Sequence, residues 1–104
     1  MEPRVRRWSD LVAGELTEDA VRRFFTPPEQ YRISPATYSP ATTFAGSSRA
    51  GYWVILAGAC TLKMGHTVTL AAGDVLESED GPFEFAVAGK KDVSVIRVWR
   101  LPAE

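Results

Sequence analysis

Residues 51–85 read GYWVILAGACTLKMGHTVTLAAGDVLESEDGPFEF, and this stretch decides the fold. Its apolar runs are short, are rich in Val, Ile, Thr and aromatic residues, and lack helical spacing, so each run is typical of a β-strand. Gly58, Gly65 and Gly73 separate the runs at close intervals, as turn residues do between neighbouring strands. The stretch therefore predicts an antiparallel barrel or a double-sheet jelly roll.

The N-terminal third contains the one helical pattern of the sequence. Leu16, Val21 and Phe24 belong to a set of apolar residues that recur every three or four positions, which places them on one face of a helix. Thr17 supplies a side chain that can cap the first turn, and two prolines follow the last one. The predicted helical segments are a single turn near 9–13 and a helix over 17–25.

Beyond this segment the residue pattern is typical of strands and turns. We expect residues 1–29 to form an N-terminal helical segment that packs on a β-barrel made of residues 30–104. The predicted strands are 30–33, 36–39, 51–57, 60–63, 66–70, 75–77, 83–87 and 93–99.

Composition limits the classes of function. The 104 residues carry 12 basic and 13 acidic side chains, a net charge of −1, so no basic surplus favours a nucleic-acid partner. The cluster of Arg4, Arg6 and Arg7 is interpreted as a solvated face. No apolar run approaches the roughly 18 residues of a membrane span, and the N-terminus lacks a signal-peptide core. We therefore expect a cytoplasmic protein with neither a membrane nor a nucleic acid as partner.

The stretch 51–85 resembles the core of the cupin family of small barrels. It has an aromatic-rich strand that ends at Gly58, a hairpin, the landmark Leu70 to Gly73-Asp74, and a second glycine turn at Gly81. The resemblance covers about residues 40–100. It implies an all-β, double-stranded β-helix, which is a jelly-roll barrel with a short N-terminal helix before it.

The first cupin motif, G(X)5HXH(X)3–4E(X)6G, is degenerate in this sequence. Anchoring its last glycine on Gly58 puts its glutamate slot at Gly51 and its two histidine slots near Ala45 and Ser47, or one residue earlier. None of these side chains is a good metal ligand.

The second motif, G(X)5PXG(X)2H(X)3N, is anchored on Gly73 and Gly81. Its proline, histidine and asparagine slots are then filled by Glu79, Glu84 and Ala88. Metal sites of this kind need three or more protein donors, and Glu84 alone could serve. The resemblance therefore implies a cupin without the usual metal site, and we expect no cofactor.

Side chains alternate across a strand, so the motif slots also predict which residues face the barrel interior. Counting from position 51 places Trp53 and Ile55 inside, and counting from position 84 places Glu84 inside with Pro82 and Ala86, opposite Phe83 and Phe85. Ser47 and Arg49 are expected at the mouth. The predicted ligand-binding residues are Ser47, Arg49, Trp53, Ile55 and Glu84. Equally, Trp53 and Ile55 could simply fill a shrunken barrel.

Three functions fit these expectations. The first is binding of a small organic molecule in the barrel without a metal. The second is a metal-independent isomerase, epimerase, cyclase or lyase with Glu84 as the catalytic acid or base, its pKa raised by apolar surroundings. Glu84 could instead pair with Arg49 or Arg97. The third is a structural or protein-interaction role with a filled barrel.

Other residues carry smaller expectations. Cys60 lies in an apolar run and is interpreted as a buried, inert thiol, and His66 as an exposed residue of a hairpin. We interpret the acidic residues Glu77, Glu79 and Asp80 as part of a loop exposed to solvent. A second apolar set needs cover, either from the N-terminal helix through Val21, Phe24 and Phe25 or from a second subunit, which predicts a homodimer. This set comprises Tyr52, Val54, Leu56, Val93, Val95 and Trp99.

Overall fold

A computed structural model describes residues 4–101 of the chain. Nine strands make up most of this part, and two short helices and one 3₁₀ helix precede the second strand. The elements are β1 (Arg4–Arg7), α1 (Trp8–Leu11), α2 (Glu18–Phe24), a 3₁₀ helix (Pro28–Gln30), β2 (Tyr31–Tyr38), β3 (Thr43–Ser48), β4 (Gly51–Ala57), β5 (Ala59–Met64), β6 (His66–Ala71), β7 (Asp74–Ser78), β8 (Gly81–Ala88) and β9 (Val93–Arg100).

The strands form two antiparallel sheets that pack face to face. One sheet has the order β1-β7-β4-β9-β2 and the other the order β3-β8-β5-β6. Strands that follow one another in the chain often lie in different sheets, as in a jelly roll. The predicted all-β jelly roll with a short N-terminal helix is confirmed.

Three strands differ from the sequence prediction. β2 is one continuous strand through Pro35, because it lies at a sheet edge and pairs only with β9, so the missing proline N–H leaves no ladder position unfilled. β3 was expected only as the segment that brings Ser47 to the open end of the barrel, and its Ala-Gly-Ser-Ser sequence is not typical of a strand. β1 was not predicted at all: its four residues are exposed, as the arginine cluster suggested, yet they pair with β7.

Both helical segments occur close to the predicted positions. Thr17 caps α2, since its Oγ1 accepts a hydrogen bond of 3.1 Å from the Ala20 backbone N–H. The N-terminal segment contributes β1 to a barrel sheet and α2 to its outer cover, and the division of the chain at residue 29 stays a prediction. Within residues 4–101, no helix is long and apolar enough to cross a membrane.

An inner core fills the space between the two sheets. Trp53 and Phe85 are the largest side chains in it, and each is at most 1% exposed. The other fully or almost fully buried members are Ile55, Cys60, Leu62, Leu70, Leu76, Phe83, Val93 and Val95. Side chains therefore occupy the middle of the barrel, as the alternative of a shrunken barrel predicted.

An outer core lies on the other face of the five-stranded sheet. Val54, Ile96 and Val98 of that sheet are buried beneath Val21 and Phe25 of the N-terminal segment. The N-terminal segment thus provides the cover that the sequence required, although Phe24 itself is exposed. The apolar face that suggested a homodimer is thus covered within a single chain. The homodimer itself stays a prediction.

The face of β9 was predicted wrongly. Val93 and Val95 belong to the inner core, whereas Ile96 and Val98 belong to the outer one. Arg97 shares the inner face with Val93 and Val95, because side chains two residues apart point to the same side of a strand.

Candidate functional site

Glu84 lies on the outside of the four-stranded sheet. Phe83 and Phe85 of β8 are buried, while the side chain of Glu84 between them is 66% exposed, with a carboxylate oxygen 3.7 Å from Nζ of Lys63. The prediction that Glu84 faces the barrel interior is therefore wrong. Its partner is also neither of the two arginines expected, and an exposed ion pair of this kind contributes little to stability.

The error is a shift of one residue. Because the side-chain period of a strand is two, such a shift moves every side chain to the opposite face. Gly81 pairs with Ser48, which is buried, so the odd-numbered residues of β8 face inward. By the same register Ser47 faces outward and is exposed, and Arg49 lies exposed in the turn after β3.

The inward positions nearest the two cupin motifs do not fit a metal. They are Gly46 and Ser48 on β3, Gly51 on β4 and Phe83 on β8, and none offers an imidazole or a carboxylate. Within residues 4–101, no group of three or more His, Cys, Asp or Glu side chains comes together as a metal-binding cluster. The site that holds the metal in the family thus has the wrong chemistry here.

An arginine lies among aromatic rings at the same end of the barrel. The Cζ atom of Arg97 is 4.6 Å from the ring centroid of Trp53, 5.0 Å from that of Trp99 and 5.3 Å from that of Phe83. Each distance is within the range of a cation–π interaction. We call these four residues the Arg97 cluster.

The strand register assembles the cluster. Trp53 on β4 lies directly opposite Arg97 on β9, and Gly51 lies opposite Trp99. Phe83 reaches the same place from the facing sheet. This end of the barrel, where β4 begins and β9 ends, is referred to below as the mouth.

The cluster contains three hydrogen-bond donors that lack partners. Nε of Arg97 and Nε1 of both Trp53 and Trp99 are buried and have no acceptor in the described part of the chain. A buried donor without a partner costs about 1–3 kcal/mol, so such atoms are rare in native proteins. Three of the four atoms of this kind within residues 4–101 lie in this cluster.

The nearby polar groups are already satisfied. The hydroxyls of Ser48 and Ser78, both buried, donate to the backbone carbonyl of Arg49 over 3.2 and 3.3 Å. Oδ1 of Asp80 accepts a hydrogen bond of 2.7 Å from the backbone N–H of Ala50. These bonds fix the β3–β4 turn, and the described residues place no carboxylate within 4.0 Å of the Arg97 guanidinium.

The site that the structure reveals overlaps the predicted one at a single residue. Of the five predicted ligand-binding residues, only Trp53 belongs to the Arg97 cluster, and Ile55 is buried in the inner core. The sequence reasoning missed Arg97 and Trp99 as site residues. Their signal was the alternation in VSVIRVW (93–99), in which Arg97 and Trp99 continue the apolar face of the strand.

Cys60 is a buried, free thiol of the inner core, as predicted. Burial raises its pKa from 9.0 to about 11, and the negative charge of Asp74 adds to the rise. At neutral pH the thiol is therefore protonated and is a poor nucleophile. His66, at the start of β6, is exposed.

The raised pKa of Cys60 predicts a loss of stability at alkaline pH. Between pH 9 and 11 the unfolded chain loses the thiol proton while the folded chain keeps it, so the free energy of unfolding falls across this window. Below pH 9 the thiol is protonated in both states, and the protein keeps its full stability. Relative to Cys60→Ala, the wild-type protein should lose about 2 kcal/mol between pH 8 and pH 10.5. Urea denaturation of both proteins at the two pH values measures this, because the titration of Lys and Tyr cancels in the difference. A pH-independent difference would contradict it.

Comparison of the sequence with protein-family models and with curated proteins finds no match. Solved structures of similar fold include the following two. One is the Cupin_2 domain of an XRE family transcriptional regulator from Enterobacter cloacae, with a TM-score of 0.62 and 14% identity over 97% of this chain and 98% of that chain. The other is the conserved SPY1581 protein of unknown function from Streptococcus pyogenes, with a TM-score of 0.60 and 15% identity over 72% of this chain and 68% of that chain. The resemblance to cupins is confirmed at the level of the fold.

Proposed function

We propose that this cupin-fold protein binds a small organic anion at the mouth of its barrel, against the Arg97 cluster, and does so without a metal. The observation that carries the proposal is that three buried N–H donors without partners belong to one cluster: Nε of Arg97 and Nε1 of the two tryptophans whose rings pack against its guanidinium. Donors without acceptors call for a ligand that brings acceptors, and a carboxylate brings two oxygens in the geometry that a guanidinium prefers.

The filled core sets the depth of this site. Trp53 is fully buried and forms the floor, so a ligand cannot enter the middle of the barrel, where small-molecule binding was expected from the sequence. Arg97 and Trp99 are only half-buried, and a ligand therefore meets them first. We therefore expect a shallow site for a molecule of a few heavy atoms that bears one negative charge.

Replacement of Arg97 tests the proposal. Titration with small monocarboxylates such as acetate and pyruvate should shift the indole N–H signals of Trp53 and Trp99 in ¹H–¹⁵N NMR spectra, whereas acetamide should not. Arg97→Met should weaken this binding at least about tenfold, since it removes a charge-assisted hydrogen bond. Arg100→Met is the matched control, because Arg100 lies on the opposite face of β9 and donates to the hydroxyl of Tyr52.

Two outcomes would contradict the proposal. One is the absence of any carboxylate-dependent shift at Trp53 and Trp99. The other is an equal loss of affinity in Arg97→Met and Arg100→Met, which would point to the total charge of the protein rather than to a site.

A structural or protein-interaction role is the second candidate, because the barrel is filled by its own side chains. A homodimer belongs with this candidate, and light scattering of the purified protein measures it directly. An enzymatic role for Glu84 has less support, since the carboxylate lies in solvent beside Lys63 rather than among apolar groups. A Glu84→Gln variant that keeps every activity and affinity of the wild type would remove that role.

A further inference from the structure

We propose that a second ligand site exists outside the barrel, in a cleft between the N-terminal segment and the outer face of the five-stranded sheet, and that it takes a small aromatic carboxylate. The cleft has a volume of about 110 Å³. Its lining is mainly apolar, with charged groups from β1 and β7, and includes Arg4, Arg6, Trp8, Phe24, Tyr52 and Glu77. We call it the outer cleft.

Aromatic rings form much of the wall of the outer cleft. The ring centroids of Trp8 and Phe24 are 5.6 Å apart, and those of Phe25 and Tyr52 are 4.9 Å apart. These spacings are typical of aromatic pairs that pack edge to face or with tilted planes. An apolar cavity of about 150 Å³ holds a benzene molecule. The cleft is smaller, at about 110 Å³, but it is open, so one ring can insert its apolar edge while its polar end stays at the opening.

The charges at the cleft favour an anion. β1 pairs with β7 so that Arg4 lies opposite Glu77 and Arg6 lies opposite Val75. Because side chains alternate, Arg4 and Arg6 share the face of the cleft, while Arg7 lies on the other face and pairs with Asp74 at 2.6 Å. Two guanidinium groups against one carboxylate leave a net positive charge.

Arg4 and Arg6 are available to a ligand. Both are exposed, and neither lies within 4.0 Å of an acidic group among residues 4–101. Guanidinium groups bind carboxylates through paired N–H donors, which favours a ligand with a carboxylate at the opening of the cleft.

An independent observation concerns Trp8, one of the residues that line the cleft. Trp8 is 3% exposed, and its Nε1 is buried without an acceptor in the described part of the chain. This atom is the only unpartnered buried side-chain donor within residues 4–101 that lies outside the Arg97 cluster. Since the carboxylate stays at the opening, this buried indole N–H is a donor that a polar substituent on the inner end of a bound ring could satisfy.

The outer cleft is separate from the mouth. Tyr52 and Val75 line the cleft on the outer face of the sheet, whereas their chain neighbours Trp53 and Leu76 face the inner core. The three tryptophans of the protein divide in the same way, with Trp8 at the cleft and the other two in the Arg97 cluster. Each site therefore has its own spectroscopic reporter, and either proposal can fail without the other.

The experiment follows the indole N–H signals in ¹H–¹⁵N NMR spectra of the whole protein, with Trp8→Phe to assign the Trp8 signal. The probes are benzoate, acetate, which lacks the ring, and benzamide, which lacks the charge. We expect benzoate to shift the Trp8 signal saturably, and the other two probes to bind at least about tenfold more weakly at this signal.

The double variant Arg4→Gln/Arg6→Gln should weaken benzoate binding about tenfold and leave benzamide binding unchanged. Arg22→Gln/Arg23→Gln on α2 is the control, because it removes the same charge from exposed residues outside the cleft and should bind benzoate as the wild type does.

Four results would overturn the proposal. Benzoate and acetate could shift the Trp8 signal with equal affinity, or the control variant could lose as much affinity as the cleft variant. The Trp8 signal could also move with protein concentration alone, which would make the cleft an interface between copies of the chain. Shifts confined to Trp53 and Trp99 would support the mouth and remove the outer cleft.

Discussion

Phe85→Ala is expected to lower the free energy of unfolding by about 3–5 kcal/mol, whereas Glu84→Gln, one residue away, should change it by less than about 0.5 kcal/mol. Phe85 is buried between the sheets, and its ring centroid lies 4.9 Å from that of Phe44 and 5.0 Å from that of Tyr38. Removal of the ring leaves a cavity that the surrounding barrel cannot close, since both sheets hold their hydrogen-bonded register. Urea denaturation followed by circular dichroism measures both values.

The pair of variants tests the orientation of β8. An unchanged dependence on urea concentration in both proteins would show that the stability, rather than the compactness of the unfolded chain, has changed. If Glu84→Gln were as damaging as Phe85→Ala, Glu84 would lie inside the barrel, and the proposal of a site at the mouth would lose its basis.

Gly51→Ala should destabilise the protein by about 3 kcal/mol or more, the upper end of the cost of overpacking. A Cβ atom at this position would lie 1.9 Å from the backbone oxygen of Val98 and 2.9 Å from Cα of Trp99. Neither atom belongs to a flexible side chain, so β4 and β9 would have to separate at the mouth. Thermal unfolding detects such a loss as a fall in Tm of many degrees.

Gly46→Ala is the matched control for this position. Its added Cβ would meet the edge of the Phe83 ring at 3.2 Å, and a side chain can shift where a backbone cannot. We expect a cost of at most about 1 kcal/mol. Equal losses in the two variants would show that β4 and β9 do not approach each other as closely as described.

The crowding at Gly51 also bears on function. This residue stands at the glutamate slot of the first cupin motif, yet the position has no room for any side chain. A Gly51→Glu variant would therefore disrupt the sheet instead of restoring a metal ligand. The packing of the strands, as well as the residue type, therefore leaves no place for a metal ligand at this slot.

The fold was largely predictable because its signals are local. Turn glycines between short β-branched runs marked most of the strands, and the stripe that contains Val21 marked α2 together with its cap at Thr17. β1 and β3 escaped prediction because the exposed arginines of β1 and the small residues 45–48 of β3 are not typical of strands, although Phe44 of β3 packs on the inner core.

The site was less predictable because it depends on which alternate residues of each strand face the barrel interior. The motif landmarks located β8 correctly, but a single residue of misalignment exchanged Glu84 for Phe83 and Phe85 on the inner face. The alternation in 93–99 placed Arg97 among apolar residues, and no local rule distinguishes an inward arginine from an outward one. The three rings that surround Arg97 come from β4, β8 and β9.

The sequence by itself determined the jelly roll, the cap and position of α2, the buried state of Cys60, and the absence of imidazole or carboxylate ligands at the first cupin motif. Each of these follows from residue type or from spacing within one segment. Only the tertiary structure decided that the barrel is filled, that Glu84 lies outside it, and that Arg97 and Trp8 hold donors without partners. These properties depend on which strands pair, in which register, and on which face each side chain then lies, and long-range pairing sets all three.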